Sequence, residues 1–525
     1  MKTDKISPTF CALPWLHLSS RPDGKMRTCC TSNASSVQDP DSSKKVGGGE
    51  VGVVKNDDGV PANFNHTSLA DAWNSAYMRN VRKMMLRGEK PAPCLKCYKE
   101  EEAGHLSKRN WETDYWSKRY DLFDLAKETA EDGSVDPKIR YIDLRMGTKC
   151  QLACVMCSPH DSSGWIKEWQ AMYPQIQNDR LKGTSGWDNK GRNDGASYNW
   201  HKNNPRFWKE LMEQVPHMYQ LYFAGGESLI IDEHYDLLEE CIKQGYAKNI
   251  ELRYNSNAVE WRDDLFDLWA EFKRVRFHYS IDAHGEHNDY IRYPTQWSHQ
   301  EEVFHLLDNT APQVEVTTAT TIMALNVAYI PEFVKWKVDQ NFKKINKWPL
   351  GAGGINMHFA YWPPQLNLKV LPPHIKQKIK DKYGSAHLIT SHNACAHIDG
   401  LFDVVKGVEH WLADDGVFVL EVGYLVDVYC NTWFDTIYHE HVDYHTVAPF
   451  EKLFARVGME LVAVDRISPQ GGSIRVMVQK QGGAIERDSS VDKLISLENE
   501  LGLDKSETLH KFDRKIGEVH EKLQK

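Results

Sequence analysis

The run Cys150-Gln151-Leu152-Ala153-Cys154-Val155-Met156-Cys157 constrains this chain more than any other stretch. Three thiols spaced C-x3-C-x2-C can wrap three corners of one [4Fe–4S] cube and leave the fourth iron without a protein ligand. A cluster that only carries electrons is fully ligated instead. An open iron implies that something else binds there. A zinc knuckle or three unrelated thiols are the competing readings of the same spacing.

The residues around this loop alternate strand-like and helix-like stretches, the pattern of a parallel α/β sheet. Strands are expected at 139–145, which delivers the cysteine loop at its C-terminal end, and at 221–224, 250–257, 275–282 and 314–320. Each ends in small or polar residues, and in parallel sheets that edge is where ligands bind. Gly225-Gly226-Glu227 follows the second of these strands. Glycines let the backbone approach a ligand closely, and a carboxylate can accept from an ammonium.

The cysteine loop and the Gly-Gly-Glu strand end together resemble the radical S-adenosylmethionine (SAM) enzymes over residues 139–370. The resemblance implies a partial (β/α)6 barrel. It also implies that the open iron of Cys150, Cys154 and Cys157 holds the amino and carboxylate groups of SAM. Reductive cleavage would then give methionine and a 5′-deoxyadenosyl radical, with an electron donor such as flavodoxin or ferredoxin. Gly225, Gly226 and Glu227 match the motif that meets the SAM amino group. Asn257, Ser280, Asp282 and Arg292 fall where relatives contact the ribose or the methionine carboxylate, and each can equally be structural. Met156 stands where many relatives carry an aromatic residue against the adenine; its apolar, adaptable side chain can substitute.

A second cysteine pattern lies upstream, in a domain expected over 1–110 and joined to the core by a linker at 111–138. Cys11 precedes Pro22-Asp23-Gly24, then come Cys29-Cys30 and finally Cys94-Leu95-Lys96-Cys97. The Pro-Asp-Gly turn predicts a hairpin that brings Cys11 and Cys29 together. The arrangement resembles the twitch domain, the single-cluster version of the SPASM domain. That implies an auxiliary [4Fe–4S] cluster on Cys11, Cys29, Cys94 and Cys97. Cys30 could replace Cys29, and zinc could replace iron–sulfur. Such domains more often follow the core, so an N-terminal position is a departure.

A different pattern begins near residue 383. The stretches 388–398 and 416–422 read as strands, followed by Tyr438-His439-Glu440-His441 and Gly471-Gly472-Ser473. This resembles the later half of the SAM-dependent sugar C-methyltransferases, over 382–480, with a helical tail at 481–525. The resemblance implies Tyr438, Glu440 and His441 as the residues that deprotonate a carbon beside a ketone, with Asn393 and His397 lining the pocket. A histidine can serve as a base near neutral pH. No strand–Gly-x-Gly-x-x-Gly–helix opens the segment, so the turn that would cradle SAM is absent. The chain is expected to stop before that family's final Rossmann-like domain and to perform no methyl transfer through this segment alone.

At 525 residues, two to four domains are expected. The polar N-terminus and the lack of a long apolar run point to a soluble cytoplasmic protein. Eleven cysteines are too few and too clustered for a disulfide scaffold. A net charge of −9 and a pI near 6.2 argue against nonspecific nucleic-acid or membrane-surface binding. The expected substrate is a peptide or a carbohydrate. The alternatives are a polar-mechanism C-methyltransferase and a non-catalytic Fe–S binding fusion. Residues 178–204, rich in Asn, Gly, Asp and Lys, read as a loop insertion.

Overall fold

The computed structural model describes residues 6–32, 51–102, 106–177, 198–345, 354–360, 363–392, 394–398, 400–433 and 443–524. The chain forms two compact units, one of residues 1–98 and 106–371, the other of residues 99–105 and 372–525. No described helix is long and apolar enough to cross a membrane.

The first unit is built on one sheet of eight strands: β1 (His17–Ser20), β2 (Met26–Arg27), β3 (Tyr141–Arg145), β4 (Gln220–Ala224), β5 (Glu251–Ser256), β6 (Arg274–Ser280), β7 (Val314–Ile322) and β8 (Asn356–Phe359). The order is β2-β1-β3-β4-β5-β6-β7-β8, and every pair except β1–β2 is parallel. The strands from β3 to β8 are the six of the expected α/β barrel. Five of them carry the alternating apolar signal in the sequence. β8 does not, because Met357, His358 and Phe359 are exposed.

Period-two alternation explains how the layers pack. Ile142, Leu144, Leu221, Phe223, Leu252, Tyr254, Val275 and Phe277 point to one face, fully buried. There they meet Phe207 and Leu211, Leu237 and Leu238, Trp269, and Phe304 from the crossover helices. Each such side chain contributes about 1.5–3 kcal/mol by leaving water. The alternate positions, Tyr141, Asp143, Tyr222, Arg253 and His278, face the other side of the sheet.

The N-terminal segment is continuous with this sheet. The β1–β2 hairpin forms as the Pro-Asp-Gly turn predicts, with Ser19 opposite Arg27 and Gly24 at φ +80°. β1 then pairs with β3, His17 beside Tyr141. The stretch expected to be a linker, 111–138, is folded instead. Trp116 is fully buried and stacks on Tyr141, and the Tyr115 hydroxyl donates to Glu251 at 2.8 Å. Trp15 Nε1 donates to Thr129 Oγ1 at 2.8 Å. Buried aromatics spaced along a polar helix mark it as packed, which a charge-rich composition conceals. The end of the expected loop insertion also belongs to the core: Trp200 is fully buried against Phe64 and Phe207, and Asn204 caps the helix Pro205–Gln214. Residues 178–197 lie outside the described residues.

The second unit carries a four-stranded sheet of β9 (Ala386–His392), β10 (Leu412–Gly423), β11 (Met459–Ile467) and β12 (Ser473–Lys480), in the order β11-β12-β10-β9. β9 and β10 are parallel; β12 is antiparallel to both β10 and β11. Its own core gathers Phe418, Leu420, Val422, Phe450, Phe454, Ile474, Val476 and Val491. Residues 481–525 are therefore not a detached helical tail. The helix Ser489–Leu501 places Val491 in this core, and Glu498 accepts from the Tyr424 hydroxyl at 2.9 Å and the Val447 amide at 2.6 Å.

Candidate active site and cluster sites

The loop after β3 is held from three directions. The Cys150 amide donates to Ser163 Oγ at 3.1 Å, and Trp165 Nε1 donates to the Cys154 carbonyl at 2.8 Å. The amides of Ala153 and Val155 donate to the carbonyls of Tyr293 and Ile291, at 2.7 and 2.9 Å. Cys150, Cys154 and Cys157 are thereby gathered at the C-terminal edge of the barrel. The Cys157 thiol donates to Cys154, which lowers the Cys154 pKa and raises that of Cys157, while burial pushes the Cys150 thiol up to about 11.

Gly225 and Gly226 meet the chain itself. A Cβ at Gly226 would lie 2.3 Å from the Lys149 carbonyl oxygen, and Gly225 has φ +103°. The Glu227 amide donates to the same Lys149 carbonyl at 2.7 Å. The two glycines therefore let the end of β4 pass directly under the entry to the cysteine loop, a close approach the sequence assigns to a ligand.

Glu227 is buried and already bonded: Oε1 accepts from the Leu229 amide at 3.1 Å and Ser256 Oγ at 2.8 Å, and Oε2 accepts from the Asn257 amide at 2.8 Å. A carboxylate has about four acceptor positions, so one remains on Oε2. Burial pushes its pKa up to about 7, against the pull of these hydrogen bonds. Its second effect, which the sequence did not suggest, is to fix Asn257. Asn257 Nδ2 donates to Cys150 Sγ at 3.6 Å.

Asp282 is fully buried, accepts from the Thr321 amide at 2.7 Å through Oδ1, and lies 2.8 Å from Arg292 Nε through Oδ2, an ion pair without hydrogen-bond alignment. Through this contact it sets the position of Arg292. The Arg292 guanidinium is held charged by Asp282 and by the nearby Cys154 and Cys157, despite burial. Ser280 ends β6, and its side chain makes no hydrogen bond among the described residues. Met156, with Val155, packs on a small apolar group of Ala283, Ile291, Met323, Ala360 and Leu366.

In the N-terminal segment, Cys11, Cys29, Cys94 and Cys97 line one cavity together with Lys108 and Arg109. Cys30 does not line it; its charged neighbours include Lys108, Asp143 and Arg145. Among the described residues, no three His, Cys, Asp or Glu side chains converge closely enough to hold a single ion. The four thiols share one cavity wall. Arg109 also donates to the Phe10 carbonyl at 2.7 Å, bracing the residue before Cys11. Neither Lys108 nor Arg109 stood out in the sequence, since both look like ordinary helix charges.

Tyr438, Glu440 and His441 lie outside the described residues, as does Asn393; for His397 only the backbone is described, in the turn Cys395–His397.

Residues 11–98 match the SPASM family, an iron-sulfur cluster-binding domain. Residues 468–525 match the family of the C-methyltransferase C-terminal domain, so the chain reaches into that family's final domain, which was expected to be missing. The C-methyltransferase NovU of Streptomyces niveus is 33% identical over 129 residues, 25% of this chain. The match covers 31% of that curated relative's own length. Among solved structures, Streptococcus suis SuiB is similar at 12% identity and a TM-score of 0.28, covering 70% of each chain. SuiB bound to S-adenosylmethionine gives 13% identity and a TM-score of 0.26, over 57% of this chain and 62% of that one. The protein is a fusion, with an iron-sulfur cluster-binding segment of the SPASM type at its N-terminus and a segment of the C-methyltransferase type at its C-terminus.

Proposed function

We propose that the protein is a radical SAM enzyme acting on a peptide or carbohydrate, with its reaction centre at the C-terminal edge of the first unit's barrel. The observation that supports this reading is the placement of three thiols on one loop at the C-terminal edge of the barrel, with the Gly225–Gly226 strand end packed beneath it. Cys150, Cys154 and Cys157 would hold a [4Fe–4S] cluster. When bound, such a cluster supplies the electron that cleaves SAM to methionine and a 5′-deoxyadenosyl radical.

The chain's own residues have separable tasks. Asn257 places an amide donor on Cys150 Sγ and so tunes that ligand. Glu227 holds Asn257 and keeps one acceptor position for the SAM ammonium. Arg292, aimed by Asp282, offers a cation for the methionine carboxylate. Val155 and Met156 provide an apolar wall for the adenine. The cavity of Cys11, Cys29, Cys94 and Cys97 would hold an auxiliary [4Fe–4S] cluster that passes electrons or anchors substrate, with flavodoxin or ferredoxin as outside donor.

The second unit is read as a methyltransferase half without methyl transfer of its own, since no glycine turn for SAM follows a strand among its described residues. Anaerobic reconstitution of the full chain with iron and sulfide, followed by dithionite and SAM, tests both readings. Formation of 5′-deoxyadenosine, lost in Cys154→Ala, supports the radical reading; none from the reconstituted wild type overturns it. Transfer of a labelled methyl group from SAM to a nucleotide ketosugar without any reductant would favour the polar C-methyltransferase instead.

A further inference from the structure

One arginine of the barrel interior makes no side-chain hydrogen bond or ion pair among the described residues. On β5, Leu252 and Tyr254 face the helices, so Arg253 and Asn255 face the interior. In register, Arg253 stands beside Tyr222, and Tyr222 beside Asp143. One step nearer the cysteine loop come Arg145 and Asn255, the latter beside His278. The guanidinium of Arg253 lies over the Tyr222 ring, 4.9 Å from its centroid, and its Nε is buried without a hydrogen-bond partner. Among the described residues the Arg253 side chain forms neither a hydrogen bond nor an ion pair.

The other arginines of these strands are engaged. Arg276 donates to Gln220 at 3.0 Å and lies 3.4 Å from Glu251; Arg274 pairs with Glu315 at 2.7 Å; Arg145 reaches Asp143 at 3.5 Å. Glu112, the carboxylate whose field Arg253 feels, is held by Lys108 at 2.7 Å and by Trp116 Nε1 at 3.0 Å. The guanidinium is half-buried and stays charged, since the acidic groups around it more than offset the burial. A side chain held over an aromatic ring, with its fork making no hydrogen bond or ion pair among the described residues, is preorganised for a planar or tetrahedral oxyanion. His278 adds no charge: burial, with Arg253, Arg276 and His358 nearby, lowers its pKa to about 3, and its Nδ1 is 2.8 Å from Thr317 Oγ1.

We propose that Arg253, with Arg145 and Asn255 in the next row towards the cysteine loop, receives an oxyanion of the substrate, a phosphate or a carboxylate, inside the barrel. The inference rests on the reading of this interior as the reaction chamber, and it selects an acidic small molecule or acidic side chain over a neutral one.

Isothermal titration of the reconstituted full chain with inorganic pyrophosphate and, separately, malonate tests it without SAM. Saturable binding of one probe is expected, with about tenfold weaker binding in Arg253→Gln, the loss of a charge-assisted contact. Arg253→Lys should recover part of it, and Arg274→Gln, at the opposite end of β6 and already paired with Glu315, should bind as wild type does. Preference for pyrophosphate identifies a phosphorylated substrate; preference for malonate identifies a carboxylate. No saturable binding of either probe, or equal binding by wild type and a folded Arg253→Gln, overturns the proposal. If Arg253→Gln does not fold, solvent-accessible arginine labelling decides. Protection of Arg253 by either probe in the wild type supports the site, and no protection sinks it. Arg253-dependent binding by a protein that makes no 5′-deoxyadenosine would separate failure of the radical reading from failure of this one.

Discussion

Cys29 faces Cys11, Cys94 and Cys97 across their shared cavity, whereas its neighbour Cys30 lies among Lys108, Asp143 and Arg145. The sequence could not separate them, because adjacent residues at the end of a hairpin point in opposite directions and nothing local says which side holds the cluster. Cys29→Ser is expected to lower the iron content of the reconstituted protein by about four per chain. Cys30→Ser should leave it unchanged, as iron and sulfide assays would show. Glu227 was legible as a site residue, but its bonds to Ser256 and Asn257 depend on a strand 29 and 30 positions away. Its carboxyl is raised to about 7 in the folded chain, against 4.5 for the free group. The folded state therefore keeps the proton over that window, and its stabilising effect is complete below about pH 4.5 and lost as pH rises through about 7. Denaturant titrations of the metal-free protein should show up to roughly 3 kcal/mol of this loss, absent in Glu227→Gln. A slope shared by wild type and variant would assign it to other groups.

Elements were legible where one face is apolar and the other polar. The alternation Glu251-Leu252-Arg253-Tyr254-Asn255 writes both the strand and its two faces, so the polar interior row was available to a reader looking for period two. The short strands β1, β2 and β8 were not so clear, because four, two and four residues leave too little pattern and pairing decides their conformation. The helix Lys108–Ser117 was mistaken for linker because its anchors, Tyr115 and Trp116, are outnumbered by charges. At the element scale the decisive contact is between the end of β4 and the cysteine loop. A methyl group at position 226 meets the Lys149 carbonyl at 2.3 Å, a backbone atom that cannot swing aside. Gly226→Ala is expected to cost about 1–3 kcal/mol and to displace Cys150. The reconstituted variant should lose the iron of the loop while keeping that of Cys11, Cys29, Cys94 and Cys97. Full iron content in Gly226→Ala would show that the loop does not depend on this packing.

Across the whole molecule, the N-terminal segment and the barrel share one sheet through the β1–β3 pairing, so the two cysteine sets belong to a single folded unit. That union was invisible in the sequence, since His17 and Tyr141 lie 124 positions apart and parallel pairing leaves no turn signal. The C-terminal unit has its own core and sheet, and its type was legible from its motifs. The measurement that bears most directly on the central claim is 5′-deoxyadenosine formation by the anaerobically reconstituted full chain, with iron counted on the same sample. The account predicts about eight irons per chain, two [4Fe–4S] clusters. It also predicts reductant-dependent 5′-deoxyadenosine that disappears in Cys154→Ala, with about four irons remaining. A wild-type protein that binds its iron fully and yet releases no 5′-deoxyadenosine would contradict it.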